Sequence, residues 1–368
     1  MSFANVRRRG MGSPEPRTRA ARGLTAGRLA PGPANSATAA AMALPRPPAP
    51  LPEPAGVRFH APTASITPGR HRGSLGGGMD IAVIVSTFER PGHLRRCIAS
   101  LAAQEGVDGR FEVVVTDDGS RDETLPMLTD LIRSAAFPLT FTTHGHDGFR
   151  LARCRNEGVA ASNAPYLLFT DGDCILPRDH LRLHLEMRRP GWVVGGDCVR
   201  LDQPTSAGID ETTIMRGGFE GLVPKAERNR MWHKGVRAKA YEWLRMPMRP
   251  RLSGNNIALW RADYEAINGF DEQFVGWGHE DRDLQHRLER IGLRVTSILL
   301  QTAPIHLWHP PAPSFARNGA GTPNLAYFES LAERPTFCLD GLEKPDALAA
   351  PLKRLNTPAA STRRHRAA

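Results

Sequence analysis

Short apolar runs alternate with segments of helical spacing along much of this 368-residue chain. The β-branched run Ile81–Thr87 predicts a buried strand, and so do the runs at 113–115 and 166–169. Pro91 suits the first turn of a helix. The apolar residues that follow it repeat at helical spacing: Leu94, Cys97, Ile98 and Leu101. A second helix is predicted from about Asp122, so strand, loop and helix alternate as in an α/β fold.

Polar groups stand where each predicted strand ends. Phe88-Glu89-Arg90 follows the first strand, Asp117-Asp118-Gly119-Ser120 the second, and Asp171-Gly172-Asp173 the third. In a doubly wound sheet the carboxyl ends of the strands form the ligand crevice. Two carboxylates separated by one small residue can reach a single divalent cation, which hard oxygen ligands suit. The alternative for the third segment is an Asp-Gly turn, which is common after strands.

The segment GWGHEDRDL, Gly276–Leu284, places an acidic pair at the start of an apparent helix. Unpaired backbone N–H groups and the helix dipole hold carboxylates at such a position. The glycines before it let a ligand approach the backbone closely. The alternative is a capped surface helix, since Asp and Glu are common in first turns.

These segments together resemble glycosyltransferase family 2, whose nucleotide-binding α/β fold is called GT-A. The resemblance implies a mixed, mostly parallel sheet flanked by helices. Six segments match the family. The last two, NNIALWRADYEAINGFDE and GWGHEDRDL, resemble galactosyltransferase-like and chondroitin-polymerase-like members. The segments occur in family order between Ile81 and His309: VSTFERPGHLRRCIASL, VTDDGSRDET, GFRLARCRNEGVAAS, YLLFTDGDCILP, NNIALWRADYEAINGFDE and GWGHEDRDL.

The resemblance also assigns the residues that bind the donor nucleotide and the metal. The nucleotide-binding set is Thr87, Glu89, Arg90, Asp117, Asp118, Arg155, Asn156 and Asp171. The metal ligands are Asp171, Asp173 and His306, with His309 as the alternate and Mn²⁺ or Mg²⁺ as the ion. The alternative role of Asp117-Asp118 is turn formation and helix capping. The alternative for either histidine is a buried, hydrogen-bonded side chain.

The resemblance also implies which residue removes the proton of the acceptor hydroxyl. By that correspondence Asp281 is the general base, and Glu280 binds the acceptor or the sugar. Trp277 is expected to stack on a sugar ring or, alternatively, to pack in the core. Asn255 and Asn256 are expected to contact the donor sugar or the acceptor. Asp283 is expected on the outer helix face or as a cap, and residues 217–239 as a mobile flap or an acceptor-binding helix.

The resulting prediction is a metal-dependent, inverting glycosyltransferase. It would move a sugar from a UDP-sugar to a hydroxyl of a glycan or a lipid-linked acceptor, in polysaccharide biosynthesis. A sugar nucleotidyltransferase is one alternative, but such enzymes carry a Gly-rich basic loop after the first strand, where this chain has Ser86-Thr87-Phe88-Glu89-Arg90. The other alternative is a non-catalytic protein that binds a sugar nucleotide or a glycan.

Charge is distributed unevenly and defines three predicted regions. The chain has a net charge of +10, but residues 1–78 contain 11 Arg and two Glu, which leaves the remainder at +1. The overall charge is therefore no argument for a nucleic-acid partner. We expect a disordered leader over 1–78, a GT-A domain over 79–330 and a basic, flexible tail over 331–368. Translation from Met79 is one hypothesis for the leader, and a basic arm that contacts anionic lipid or polymer is the other.

The sequence has no run of about 18 apolar residues that would predict a transmembrane helix. The leader lacks the apolar region of a secretory signal, and the five cysteines show no CxxC spacing. These features predict reduced thiols, mostly buried, and a cytoplasmic location. Membrane association is expected to be at most peripheral, at the inner face of the membrane.

Overall fold

A computed structural model of the chain describes residues 79–311, 323–330, 335–344 and 353–356, the last of these as backbone. The predicted leader over 1–78 lies outside the described residues, as does most of the predicted tail. No helix in the described part of the chain is long and apolar enough to cross a bilayer. All five cysteines are buried free thiols, as predicted.

An eight-stranded mixed sheet forms the centre of the fold, in the order β11-β3-β2-β1-β4-β8-β6-β9. The four strands from β3 to β4 run parallel, and β6 and β9 are also parallel. The other pairs are antiparallel. The strands of the sheet are β1 (Ile81–Thr87), β2 (Phe111–Asp117), β3 (Leu139–Thr143), β4 (Tyr166–Asp171), β6 (Trp192–Gly195), β8 (Ile257–Trp260), β9 (Arg294–Ser297) and β11 (Lys353–Asn356).

Helices cover both faces of this sheet. A 3-10 turn, Phe219–Leu222, adds to ten α-helices in the described part of the chain. The helices are α1 (Pro91–Ala102), α2 (Thr124–Ser134), α3 (Leu151–Ala160), α4 (His180–Met187), α5 (Gln203–Ala207), α6 (Glu211–Arg216), α7 (Lys225–Trp243), α8 (Arg261–Glu265), α9 (Glu280–Arg290) and α10 (Pro323–Ser330). The predicted α/β fold with a mixed, mostly parallel sheet is confirmed.

Alternation along β1 explains why both faces of the sheet are packed. Ile81, Val83 and Val85 pack with α1 and α2, whereas Ala82 and Ile84 pack on the opposite side with α3, α8 and α9. Side chains of a strand point to alternate faces, so a strand covered on both sides must be apolar throughout. Every residue of β1 is buried accordingly. The continuous apolar runs of the sequence therefore identify the parallel strands of the sheet.

The start of α2 differs slightly from the prediction. The helix begins at Thr124 rather than near Asp122. The Asp122 carboxylate accepts a hydrogen bond from the Thr124 amide at 3.0 Å. Asp122 therefore shapes the turn before the helix, a role that Asp takes readily because its side chain competes with helical hydrogen bonding.

A smaller sheet lies beside the carboxyl end of β4. It contains β5 (Cys174–Ile175), β10 (Ile305–His306) and β7 (Val199–Arg200), in that order. In its register His306 is paired with Cys174. This pairing brings the segment PIHLWHP, residues 304–310, against Asp173, which lies more than 130 positions earlier in the chain.

The segment predicted as a flap or an acceptor-binding helix, residues 217–239, overlaps the 19-residue helix α7. Its inner side buries Met231, Gly235 and Ala238. At Gly235 an added Cβ would lie 2.6 Å from the end of the Leu300 side chain, so a larger residue here would displace that side chain. Near the end of the helix, Glu242 accepts hydrogen bonds from the Ser297 amide and the Thr296 hydroxyl. The segment is thus largely a helix packed on the core, and the predicted binding of the acceptor by it stays a prediction.

Candidate active site

A pocket of about 840 Å³ opens beyond the carboxyl ends of β1 and β4. Parallel pairing of the two strands sets Ser86 opposite Asp171, so the polar residues after both strands reach the same edge. Most of the predicted site residues line this pocket. They are Thr87, Arg90, Arg155, Asp171, Asp173, Asn255, Trp277, Glu280, Asp281, His306 and His309.

The Asp171-Gly172-Asp173 segment passes close to the end of β1. The Gly172 amide donates a hydrogen bond to the Ser86 carbonyl at 2.8 Å. An added Cβ at Gly172 would lie 3.2 Å from the Leu94 side chain, the Ser86 carbonyl and the Thr87 Cβ. A larger residue would press the loop away from the sheet, so the glycine allows both aspartates to reach the pocket.

Two histidines converge on Asp173. His309 Nε2 lies 3.0 Å from Asp173 Oδ2, and His306 Nε2 lies 3.4 Å from Asp173 Oδ1. Arg90 Nη1 lies 3.4 Å from the same carboxylate. Burial acts to raise the pKa of Asp173, but His309, His306 and Arg90 outweigh it and lower that pKa. The carboxylate is therefore charged at neutral pH.

The ligand atoms of Asp173, His306 and His309 lie within 4.8 Å of one another. This set of one carboxylate and two imidazoles fits a divalent first-row metal, and imidazole ligands suit Mn²⁺ better than Mg²⁺. Asp171, Asp173 and Cys174 form an overlapping set. The predicted ligands are thus brought together, and the alternate histidine lies nearer to Asp173 than the preferred one.

A buried arginine joins the two acidic segments of the pocket. Arg155 is only 2% exposed, and its Nη1 lies 2.9 Å from Asp281 Oδ1 and 3.5 Å from Glu280 Oε1. Its Nη2 lies 3.7 Å from Asp171 Oδ1. The guanidinium carbon also lies 4.8 Å from the centre of the Phe270 ring. Arg155 therefore holds three carboxylates around one cation, which the sequence did not indicate.

Gly254 supplies a second anchor for Asp281. Its amide donates a hydrogen bond to Asp281 Oδ2 at 2.7 Å. An added Cβ at this position would lie 1.9 Å from Arg155 Nη2 and 2.6 Å from Asp281 Oδ1. Only glycine fits here. The sequence analysis considered Asn255 and Asn256 but missed Gly254. A glycine directly before two polar residues was the signal that could have pointed to it.

The acidic pair occupies the first turn of α9. Gly276 and Gly278 before it have positive φ angles, and His279 adopts the left-handed conformation at φ 75°. The helix dipole stabilises negative charge at this end. Burial raises the pKa of Glu280, the charge of Asp281 raises it further, and Arg155 opposes both. Glu280 Oε2 has no hydrogen-bond partner among the described residues, so a buried acceptor atom is available there.

Asp283 does not lie on the outer face of α9, and that expectation is wrong. It is buried and forms an ion pair with Arg287 Nη2 at 2.7 Å. Arg287 in turn donates hydrogen bonds to the carbonyls of Ile267 and Gly269, both at 2.8 Å. The pair fixes α9 to the preceding loop, which explains why a third carboxylate stands in this helix.

Asp117 and Asp118 lie outside the pocket lining. Asp117 Oδ2 accepts hydrogen bonds from the Ser120 amide at 2.9 Å and the Thr143 hydroxyl at 2.7 Å. Asp118 lies 3.0 Å from His144 Nε2 and accepts a hydrogen bond from the Arg150 amide. The contact of Asp117 with Ser120 is that of the turn-forming alternative, whereas Asp118 holds the segment around His144 and Arg150. The predicted contact of the two aspartates with the donor base stays a prediction.

Three further predicted residues are used within the protein. Asn156 donates to the Phe270 carbonyl and accepts from the Tyr264 hydroxyl at 2.6 Å. Asn256 is buried with its Oδ1 2.9 Å from His184 Nε2. Glu89 has a positive φ angle, and its amide donates to the Ser120 hydroxyl. None of these three side chains lines the pocket.

The pocket lining also includes Trp277 and several arginines. Trp277 is 45% exposed, so its side chain is not buried in the core as the alternative required. Arg200, Arg249 and Arg251 also line the pocket. Sequence reasoning missed all three, because they belong to no recognisable motif. Their positive charge makes the pocket suited to an anionic ligand.

Two family models match the chain. Residues 82–233 match the model described as Glycosyl transferase family 2, and residues 234–309 match the model described as N-terminal domain of galactosyltransferase. The boundary falls within α7. Both acidic segments of the pocket are thus covered, the first by one model and the second by the other.

Known relatives have names consistent with these models. The chain is 31% identical over 232 residues to validoxylamine A glucosyltransferase from Streptomyces hygroscopicus subsp. limoneus, covering 59% of this chain and 49% of the relative. It is 23% identical over 238 residues to chondroitin synthase from Escherichia coli, covering 59% of this chain and 33% of the relative. The chain thus spans about half the length of the first relative.

Among solved structures, S. aureus TarS in complex with UDP-GlcNAc is similar, with a TM-score of 0.46 and 17% identity. The match covers 64% of this chain and 60% of that one.

Proposed function

Because this chain belongs to glycosyltransferase family 2 and its residues 234–309 match the model of the N-terminal domain of galactosyltransferase, we propose that it is a metal-dependent, inverting glycosyltransferase. The donor would be a UDP-sugar, and the acceptor a hydroxyl of a glycan or of a lipid-linked sugar. The observation that supports this most directly is that one pocket is lined by Asp173 with its two histidines and by the Glu280-Asp281 pair, with Arg155 in contact with both Asp171 and Asp281.

Asp173, His306 and His309 would hold the metal, with Asp171 beside them. The bound cation would supply charge stabilisation for the diphosphate as it leaves. Arg90 contacts Asp173 and lines the pocket beside Thr87, a position that suits a contact with the nucleotide. Mn²⁺ is the proposed ion because two imidazoles belong to the set.

Asp281 would act as the general base. The acceptor oxygen forms a bond to the anomeric carbon while the bond from that carbon to the diphosphate oxygen breaks. The acceptor proton passes to the Asp281 carboxylate. Its two oxygens are each held, one by Arg155 at 2.9 Å and one by the Gly254 amide at 2.7 Å. These bonds favour a positioning role for Arg155 over the diphosphate contact implied by the family.

The remaining parts of the proposal are the sugar contacts and the cellular setting. Trp277 would stack on a sugar ring, and Asn255 and Glu280 would bind sugar or acceptor hydroxyls. We further propose that the protein associates peripherally with the inner face of the membrane. It would take part in polysaccharide biosynthesis. The name of chondroitin synthase supports a polysaccharide product, whereas that of validoxylamine A glucosyltransferase supports a small acceptor.

A panel of UDP-sugars incubated with the full chain, with and without Mn²⁺, tests the proposal through release of UDP. We expect slow, metal-dependent hydrolysis of one donor, which would also identify the sugar. Metal-dependent binding of UDP itself, measured by calorimetry, covers the case in which an acceptor is required for turnover. Absence of both hydrolysis and UDP binding would overturn the proposal. Formation of a UDP-sugar from UTP and a sugar phosphate would instead support the nucleotidyltransferase alternative.

A further inference from the structure

The outward side of α7 carries large apolar side chains that the fold leaves exposed. Trp232, Val236 and Trp243 are spaced by four and seven residues, which places them on one side of the helix. They are 57%, 44% and 83% exposed. Leu244 and Met246, which follow the helix in the chain, are also exposed. We name these five residues the α7 strip.

Packing on another side of α7 fixes the direction of the strip. Met231, Gly235 and Ala238 are buried against the core. Lys234 forms an ion pair with Asp197, and Glu242 accepts a hydrogen bond from the Ser297 amide. The helix cannot rotate to bury its tryptophans without breaking these contacts. Several large apolar side chains held outward in this way are typical of an interaction surface.

Basic residues without acidic partners flank the strip. Lys225, Arg228, Arg237 and Arg245 are exposed and form no ion pair with any described residue. The two acidic residues of α7 are used elsewhere, because Glu227 pairs with Arg230 and Glu242 pairs with Lys239.

The positive charge is concentrated in this part of the chain. Residues 225–251 contain nine Lys or Arg and two Glu, a net charge of +7. The rest of 79–368 contains 28 basic and 34 acidic residues, a net charge of −6. The region around the strip is therefore the cationic part of an otherwise anionic domain.

We propose that the α7 strip and its basic flank are a docking surface for an anionic phospholipid membrane. Tryptophans favour the interface between water and hydrocarbon, while Lys and Arg on the polar side of a helix attract anionic headgroups. Cationic flanks match lipid phosphates and do not match the neutral hydroxyl groups of most sugars. The inference rests on the peripheral membrane association proposed above, to which it adds the residues and the lipid class.

The docking surface leads directly to the pocket. Met248, Arg249 and Arg251 follow the strip within five residues of Met246 and line the pocket wall. The chain therefore passes from the strip into the pocket lining within a few residues.

Co-sedimentation of the full chain with vesicles tests the inference. Vesicles of phosphatidylcholine alone are compared with vesicles that also contain phosphatidylglycerol. The test variants are W232S/W243S, which removes the apolar contacts, and R237E/R245E, which reverses the flanking charge. The matched control is R121E/R133E, which makes the same charge change at exposed positions of another surface.

We expect the wild-type chain to bind the phosphatidylglycerol vesicles. Each α7 variant should lower the apparent partition coefficient by at least about tenfold, while R121E/R133E stays within about threefold of wild type. All variants should release UDP at the wild-type rate in the absence of vesicles. Loss of vesicle binding with normal hydrolysis therefore concerns docking, and loss of hydrolysis concerns the proposed function.

Three outcomes would overturn the inference. The wild-type chain could fail to bind anionic vesicles. The α7 variants could bind as well as wild type, which would assign the binding to another basic part of the chain, such as residues 1–78. Finally, light scattering could detect a dimer that W232S/W243S abolishes in the absence of lipid, which would assign the strip to a second copy of the chain.

Discussion

Two acidic loops of this molecule look alike in sequence and differ in their surroundings. Asp117-Asp118 and Asp171-Gly172-Asp173 each follow a buried parallel strand. The oxygens of the first loop are occupied by donors from its own turn and from β3. Those of the second face a pocket, where histidines and arginines stand beside them. Carboxylates at strand ends are thus either parts of a turn or parts of a site.

The difference lies in which donors the backbone supplies. In the first loop, amides of Gly119 and Ser120 point back at Asp117, so the carboxylate is satisfied without a ligand. In the second, Gly172 turns the chain towards β1, and Asp171 is left near Arg155 with its pKa raised by burial. Carboxylates that the protein itself does not satisfy are the ones available for a metal or a substrate.

The largest expected effect is at Asp281. Replacement by Asn keeps the shape and removes the proton acceptor, so transfer should fall by at least about 100-fold. Binding of UDP with Mn²⁺, measured by calorimetry, should remain close to wild type. Asp283→Asn, two residues away in the same helix, is the matched control. It should lower Tm through loss of the Arg287 pair and keep most of the transfer activity when assayed below its unfolding range. Normal turnover of D281N would exclude Asp281 as the base.

A second change tests the metal cluster. Asp173→Ala should weaken UDP binding in the presence of Mn²⁺ by about 100-fold and leave the metal-free affinity unchanged, because the residue would act through the cation. Asp130→Asn removes an exposed carboxylate elsewhere and should have no effect on either affinity. Unaltered manganese dependence in D173A would refute the ligand assignment.

In the other loop, Asp117→Ala should affect stability rather than binding. Removing the acceptor takes away the partner of the Gly119 and Ser120 amides and leaves the Thr143 hydroxyl only its longer hydrogen bond, to the His144 carbonyl. The free energy of unfolding should fall by roughly 2–4 kcal/mol, which corresponds to a Tm lower by about 5–10 °C. Affinity for UDP should change by less than about threefold, since the side chain lies outside the pocket. A large loss of UDP affinity with an unchanged Tm would show that Asp117 contacts the donor after all.

The smallest effects concern the pH dependence of stability. Burial disfavours protonation of His144, but hydrogen bonds to Asp118 and Glu157 outweigh it and raise the pKa of His144 to about 9. Its contribution to stability is therefore complete below about pH 6.5 and is lost as the pH rises to about 9. In His144→Gln, the difference in Tm from wild type should shrink across that range. A difference in Tm that stays constant across that range would contradict a positive charge on His144 in the folded protein.

His184 should behave in the opposite way. Burial lowers the pKa of His184 to about 4, so the folded protein holds it neutral. The unfolded chain takes up a proton below about pH 6.5, and stability is lost as the pH falls towards 4. In His184→Gln, Tm should fall less as the pH is lowered below about 6.5. A fall of Tm equal to that of wild type would contradict a neutral His184 in the folded protein.

Local sequence was sufficient wherever neighbours in the chain decide the structure. The apolar runs of β1, β2 and β4, Pro91 at the start of α1 and the acidic first turn of α9 all depend on contacts within a few residues. Periodicity and helix-end preferences are properties of such short segments, so these elements were predictable. The carboxylates at the strand ends followed, because parallel strands end at one edge.

Tertiary structure alone decided which polar residues meet. Arg155 and Asp281 are 126 positions apart, and Gly254 touches both. Asp283, two residues from the proposed base, pairs with Arg287 because the loop at Ile267 lies against α9. Even the exposure of Trp232 and Trp243 depends on which side of α7 packs on the core. Such contacts join segments far apart in the chain, so the sequence of either segment alone does not predict them.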